Sequence, residues 1–312
     1  MICQNPGMKN PAGSRGTAFL LLALAMLFWA GNWVLGRALR NDFEPAALNF
    51  WRWLIAVLVL APFAAPRLRG KWGVIRRDAG LLLALSFLGV ALFQWMVYQG
   101  LKTTTAVNAV LINSSFPVFI LLWSWAIERE RGTRGQVAGM LISLAGILVI
   151  MARGDPANLA GLAFQTGDAI ILLAGVVWGV YSVLLKRRPS ELDGIAFLFV
   201  ISLAGTALIL PAFALEGWHS PPRWPGATGV AAVIYVGLAA SVAAFICWNR
   251  GVAIVGATAA GFTLHLLPAF GTLLAIAFLG ESFHLSHAAG IATIIAGVAV
   301  ATRARAPQPT PR

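Results

Sequence analysis

The apolar residues of this chain come in runs of about 20, the length a helix needs to cross roughly 30 Å of hydrocarbon. Ten such runs predict ten membrane helices, at 17–38, 45–65, 79–101, 104–126, 134–152, 166–187, 194–215, 227–249, 256–279 and 285–303. The expected fold class is therefore an all-α membrane protein. Composition agrees, since only 11% of the residues are charged and 59% are hydrophobic, whereas a soluble domain carries roughly a quarter charged residues. Two positive charges precede the first run, which is too long for the apolar region of a signal peptide. It reads as an uncleaved first span. Loops this short leave no room for a soluble domain, and Cys3 and Cys247 are too few and too distant for a disulfide framework or a metal knuckle.

The net charge of +12 gains its meaning from location. Lys and Arg sit in the short loops, so they report membrane orientation rather than a nucleic-acid surface. The N-terminus, every second loop and the C-terminus together hold seventeen of them; the opposite loops hold five, Arg37, Arg40, Lys102, Arg153 and Arg223. Arg52 alone lies within a span. The positive-inside rule then places both termini in the cytoplasm, which an even number of spans allows.

The chain is also built twice. Pro117 and Pro268 stand 151 positions apart, as do Gly100 and Gly251, and Glu130 and Glu281. The same offset carries "FQWMVYQG" onto "FICWNRG", Gly139 onto Gly290 and Gly146 onto Gly297. Near the start of each half it slips to 149, pairing Trp29 with Trp178 and Arg37 with Lys186. Five spans per half is an odd number, so the second half enters the membrane inverted, as in many secondary transporters. The expected organisation is a tail at 1–16, a first repeat at 17–152, a linker at 153–165, a second repeat at 166–303 and a tail at 304–312.

The Trp-rich first span "FWAGNW", the Arg of "NFWRW" and the Pro and Glu of "FPVFILLWSWAIERE" resemble the EamA-type drug/metabolite transporters. So do spans nine and ten, "LLPAFGTLLAIAFLGESFHLSHAAGIATIIAGVAVATR". The resemblance covers about residues 17–303. It implies an integral inner-membrane carrier that exports amino acids or other small metabolites by alternating access. It names no cofactor. Since one chain holds both halves, a monomer suffices, with a small-molecule substrate and the lipid bilayer as its partners.

Polar side chains inside a membrane are costly and mark sites. Span one offers Trp29 and Asn32. Span three offers Gln94 and Tyr98, four apart on one helical face. Asn113 and Ser114 lie beside Pro117 in span four, Trp178 and Tyr181 in span six, and His265 beside Pro268 in span nine. Aromatic rings with amide partners suit an amphipathic metabolite, so these nine residues form the candidate substrate-binding set. Pro117 and Pro268 are expected as hinges inside their helices, freeing the carbonyls of Asn113 and Leu264; a fixed kink that improves packing is the other reading. Trp51, Trp53, Trp123, Trp125 and Trp248 near span ends read as interfacial belt aromatics. Arg52, about 10 Å in by helical rise, either holds a substrate carboxylate or, the expected outcome, snorkels outward toward Asp42 and Glu44. His265 is either a substrate or proton carrier, or simply hydrogen-bonded.

No Asp or Glu occupies the middle of a span, which leaves facilitated diffusion, exchange and proton coupling all open. A membrane-embedded enzyme would need a convergent catalytic constellation, and neither HExxH, GxSxG nor paired intramembrane carboxylates occur. His284 and His287 are a weak metal signal, so no catalytic or metal site is expected. A nucleotide-sugar carrier would want several cavity cations and a multidrug carrier a buried carboxylate. Neither pattern is present.

Overall fold

Helices in this chain are set by length and apolarity, and their ends by local stops. The computed structural model describes residues 14–104, 106–130, 132–152, 165–219, 226–279 and 284–303, with Asp155 and Ala157. Most of the expected tails and linker, with Cys3 and Glu281, lies outside the described residues. Helix α1 is Arg15–Ala38, α2 Pro45–Arg67, α3 Ala79–Thr103, α5 Arg134–Ala152, α6 Thr166–Leu184, α7 Gly194–His219, α8 Gly226–Val255 and α10 Leu285–Arg303. Helix α4 comes in two pieces, Ala106–Asn113 and Phe116–Glu128. Helix α9 comes in three, Ala257–Gly261, a 3₁₀ turn at Phe262–His265, and Leu266–Leu279. Ten helices thus stand where ten were expected. The largest difference is α8, which runs on to Val255 and takes in Arg250, expected in a loop, before Gly256 ends it at a φ of 85°.

The pairing of helices follows a pseudo-twofold plan. Helix α1 packs on α8 and α9, and its counterpart α6 packs on α3 and α4. Two pairs, α2 with α7 and α5 with α10, join equivalent helices. On the axis, equivalent residues meet each other. The Ser143 hydroxyl donates to the Ile294 carbonyl at 3.3 Å, and Gly139 faces Gly297 as Gly146 faces Gly290. The glycine stripes of α5 and α10 therefore cover one another within the chain, allowing close backbone approach.

Polarity is inside out relative to a soluble protein. Leu20, Leu58, Phe63, Leu141, Leu173, Leu210 and Ile295 are exposed around the outside, while Asn49, Arg52, Ser202 and His265 are buried. That suits a lipid surround, where apolar surface is at no disadvantage and polar groups must find partners within the bundle. Caps serve the same need. Glu216 of α7 accepts the backbone N–H groups of Ala46 at 2.9 Å and Ala47 at 3.1 Å, closing the N-terminus of α2. Asp193 does the same for α7 through Ile195 and Ala196, each at 2.9 Å.

At the bundle face that carries the N-terminus of α1, here called the N-terminal face, a short helix at Trp72–Arg77 leads into α3. Its Arg77 pairs with Asp78 at 2.7 Å and with Glu191 in the α6–α7 loop at 3.0 Å. The Glu191 carboxyl is held below its usual range, first by its own backbone N–H and then by Arg77. Lys186 joins Glu128 and Glu130 at the same face, tying α6 to α4.

Candidate functional site

Both halves carry the same two irregularities. Helix α3 widens to a π-helix over Ser86–Leu92, and α8 does so over Val236–Ala243, the same stretch 151 positions on with one residue more at its start. A π turn leaves carbonyls that the α-helical ladder does not close, and such bulges recur at functional sites. Here neighbouring side chains close them. Asn49 of α2 donates to the carbonyls of Val90 at 3.1 Å and Ala91 at 3.0 Å. In α8, the Trp29 indole donates to Ala240 at 3.0 Å and the Ser241 hydroxyl to Val236 at 2.9 Å. Trp29→Phe keeps an aromatic ring of smaller size and removes this donor. It should cost roughly 1–3 kcal/mol, the lost hydrogen bond together with the space left by the smaller ring, read as a lower thermal midpoint in detergent.

The second irregularity is the break at the prolines. Neither proline sits inside an unbroken helix as expected. Pro117 lies in the first turn of the second α4 piece, where its missing N–H costs nothing, and the helix is interrupted before it at Ser114–Ser115. Pro268 likewise follows the 3₁₀ turn of α9. The two breaks touch across the pseudo-axis. His265 Nε2–H donates to the Ser114 carbonyl at 2.9 Å, and these residues are 151 apart. Asn113, Ser114 and His265 are all buried there, and among the described residues His265 Nδ1 and Asn113 Nδ2 have no partner.

Arg52 overturns its expected outcome. It turns inward instead of snorkelling and is completely buried. Its Nε donates to Ser241 Oγ at 2.7 Å, and Nη1 donates to Tyr98 Oη at 2.9 Å and Asn32 Oδ1 at 3.4 Å. Tyr98 passes its own proton to Asn32 Oδ1 at 2.7 Å. The guanidinium also lies over the rings of Trp53 and Tyr98, at 5.4 and 5.9 Å. Among the described residues it forms no salt bridge, and its Nη2 is unpartnered. Asn49, one turn before it on α2, has an unpartnered Oδ1. Inward rotation wins because burial here exposes the cation to two hydroxyls, an amide and two ring faces, whereas the lipid-facing side offers none.

The other half mirrors this pair with the residue types exchanged. Tyr181 of α6 stands where Asn32 stands in α1, and Asn249 of α8 where Tyr98 stands in α3. Tyr181 Oη donates to Asn249 Oδ1 at 3.2 Å. Offset 149 puts Ile201 opposite Arg52, and the cation near the mirror pair is Arg188 at the N-terminal face, which lies over the Phe197 ring at 5.6 Å and acts on Tyr181 through its charge.

Between the two polar pairs lies an aromatic core. Trp29 meets Trp178 edge-on at 5.2 Å, Phe245 at 5.5 Å and Trp248 at 5.4 Å. Trp178 meets Phe93 at 4.6 Å and stacks on Tyr181 at 5.0 Å. Trp53 and Trp248, expected in an interfacial belt, are fully buried in this core, while Trp51 and Trp125 are exposed. The structure so divides the expected site residues into three groups. Asn32 and Tyr98 gather at Arg52, with Gln94 buried one turn before Tyr98. Trp29, Trp178 and Tyr181 belong to the aromatic core, and Asn113, Ser114 and His265 to the break. Arg52, Asn49, Ser241, Trp248 and Asn249 were left out of the expected set. Arg52 carried a usable signal, being the one charge inside a span. Ser241 carried none, because its role depends on the π turn of α8.

The geometry defines a membrane protein of ten helices, made of two inverted five-helix repeats that enclose a polar and aromatic centre. The family model described as the EamA-like transporter family matches it twice, at residues 16–152 and 165–303. The chain belongs to the EamA-like transporter family. An "Uncharacterized transporter" of Archaeoglobus fulgidus is 30% identical over 91% of this chain and 96% of its own length. A "Probable terminal-alkyne amino-acid exporter" of Streptantibioticus cattleyicolor is 28% identical over 90% of this chain and 92% of its own length. A crystal structure at 24% identity covers 93% of this chain and 98% of that one with a TM-score of 0.74, a likeness of fold.

Proposed function

We propose that this transporter exports small amphipathic carboxylates, foremost amino acids, across the bacterial inner membrane, with both termini cytoplasmic. The observation that carries this reading is Arg52, a buried guanidinium with hydrogen-bonding neighbours, no anion and one free N–H edge. A charge inside a membrane protein is costly without a counter-ion, so a cargo carboxylate at Nη2 completes the site. The Asn49 Oδ1 acceptor suits an ammonium group, and the aromatic core takes an apolar side chain. The relative named as a probable amino-acid exporter points to the same class.

Transport proceeds by alternating access in a monomer. The interrupted helices α4 and α9 are the hinges, flexing beside Pro117 and Pro268 where the ladder is already broken. The His265–Ser114 bond links the two breaks, so opening one end is coupled to closing the other. His265 serves as a coupling link, and the substrate touches Asn32, Gln94, Tyr98 and the aromatic rings of Trp29 and Trp178.

The test is uptake of labelled leucine, phenylalanine and glutamine into proteoliposomes, with and without a pH gradient. Saturable uptake without a gradient is expected for the unmodified chain and for His265→Gln at reduced rate. Uptake that needs the gradient, and stops needing it in His265→Ala, would instead make the histidine a proton carrier. Absence of uptake for every carboxylate would overturn the substrate class.

A further inference from the structure

The exchanged Tyr–Asn pair is surrounded by hydrogen-bond donors that nothing in the described structure satisfies. Trp178 Nε1, Trp248 Nε1, Asn249 Nδ2 and Ser182 Oγ are all buried and unpartnered. They are neighbours. The Trp178 and Trp248 rings lie 5.4 Å apart, Tyr181 stacks on Trp178 at 5.0 Å and bonds Asn249 at 3.2 Å, and Ser182 is one turn from Trp178 on the same face of α6. An indole N–H and an amide NH₂ can only donate. In a water-poor interior a group of unmet donors is costly, and only a ligand rich in acceptors relieves it. Trp29 provides the contrast within the same core, because its N–H is already taken by the Ala240 carbonyl. By helical rise, Trp248 lies about 10 Å from the end of α8 at the N-terminal face. Arg52 lies at a similar depth from the opposite face.

We propose that Trp178, Trp248, Asn249 and Ser182 form a second subsite, built of neutral donors, for oxygen acceptors, which takes the cargo's carboxylate when the carrier is open to the N-terminal face. The inference rests on the carboxylate reading above and adds an asymmetry to it. The two repeats supply equivalent positions, but one end presents neutral donors with Arg188 only at its outer edge, beside Tyr181, and the other a fully buried guanidinium, since Ile201 takes the place of Arg52 in the second half. Neutral hydrogen bonds to a carboxylate are weaker than a guanidinium pair. The subsite at the N-terminal face therefore binds and releases cargo readily, while the Arg52 end sets its selectivity for acids. The aromatic rings between them keep the apolar part of the cargo covered in both states.

The test compares the two faces. Radiolabelled phenylalanine is offered to proteoliposomes of known orientation from either side. Trp178→Phe/Trp248→Phe keeps a phenyl ring at each position and removes both N–H groups. The expected result is a KM at least tenfold higher from the N-terminal face and a rise several-fold smaller from the opposite face, where only the lost ring contact acts. Asn249→Leu alone should shift KM in the same face-selective way. A second measurement needs no variant: the ultraviolet resonance Raman signal of indole N–H should shift toward a hydrogen-bonded state when phenylalanine is added to purified protein. Unchanged KM on both faces, or no Raman shift, in a chain that transports phenylalanine would overturn the subsite and leave the carboxylate reading intact. No transport of phenylalanine together with no Raman shift would overturn both.

Discussion

Arg52→Gln is expected to reduce kcat/KM for every carboxylate cargo by roughly 30- to 5,000-fold, the loss of about 2–5 kcal/mol that follows removal of one partner of a buried charged pair. The effect is large because the guanidinium has no substitute. Arg250, which α8 takes in near its end, is exposed, and the position equivalent to Arg52 in the second repeat is Ile201. Gln retains hydrogen-bonding capacity toward Tyr98 and Asn32, and Ser241 keeps its bond to the Val236 carbonyl at 2.9 Å. The variant should accordingly fold, with a thermal midpoint in detergent within a few degrees of the parent. Arg52→Lys should fail nearly as badly. One ammonium cannot serve Ser241, Tyr98 and a cargo carboxylate in the three directions that the planar guanidinium covers. Selectivity supplies a sharper readout. The parent should prefer an amino acid over its primary amide, and Arg52→Gln should lose that preference. An Arg52→Gln carrier with unchanged KM for the acid would remove this residue from the site.

The second large effect is on assembly. A Cβ added at Gly139 would stand 2.4 Å from the Ala301 backbone nitrogen and 2.5 Å from the Gly297 carbonyl oxygen. Neither is the end of a flexible side chain, so α5 and α10 must separate. Gly139→Ala should cost roughly 1–3 kcal/mol, and Gly139→Leu should prevent the pair from forming. Gly297→Ala should behave alike, because its Cβ would lie 2.5 Å from the Ser143 nitrogen and 2.6 Å from the Gly139 carbonyl. Gly271→Ala is the control. Nothing lies within 4 Å of its Cβ, and alanine is the better helix former, so stability should hold or rise slightly. Thermal unfolding monitored by size exclusion separates these outcomes. A Gly139→Leu protein as stable as the parent would show that the α5–α10 contact is dispensable.

The sites of interruption carry a lesson about legibility. Pro117 and Pro268 at one offset marked where both helices break, and Asn113, Ser114 and His265 were legible as polar residues beside those breaks. That the two breaks touch was not legible, because the repeat offset says which residues are equivalent and nothing about which lie on the axis. The π segments were hidden for another reason. "SFLGVALFQ" and "VGLAASVAAF" contain no proline to announce them, and the widened turns persist because Asn49 and Trp29, far away in sequence, close their carbonyls.

By itself the sequence determined the number of helices, their approximate ends and the doubling of the chain. Those properties follow from apolar length and from recurrence, which need no knowledge of neighbours. Tertiary structure alone decided that Arg52 turns inward, that Trp53 and Trp248 join the core while Trp51 and Trp125 stay outside, and that Tyr98 bonds Asn32 in one half as Tyr181 bonds Asn249 in the other. Membrane helices that are apolar nearly all round show no face from which to read such choices. The inward side is set by which neighbours can satisfy a buried donor, and those neighbours meet only when the two halves close on each other.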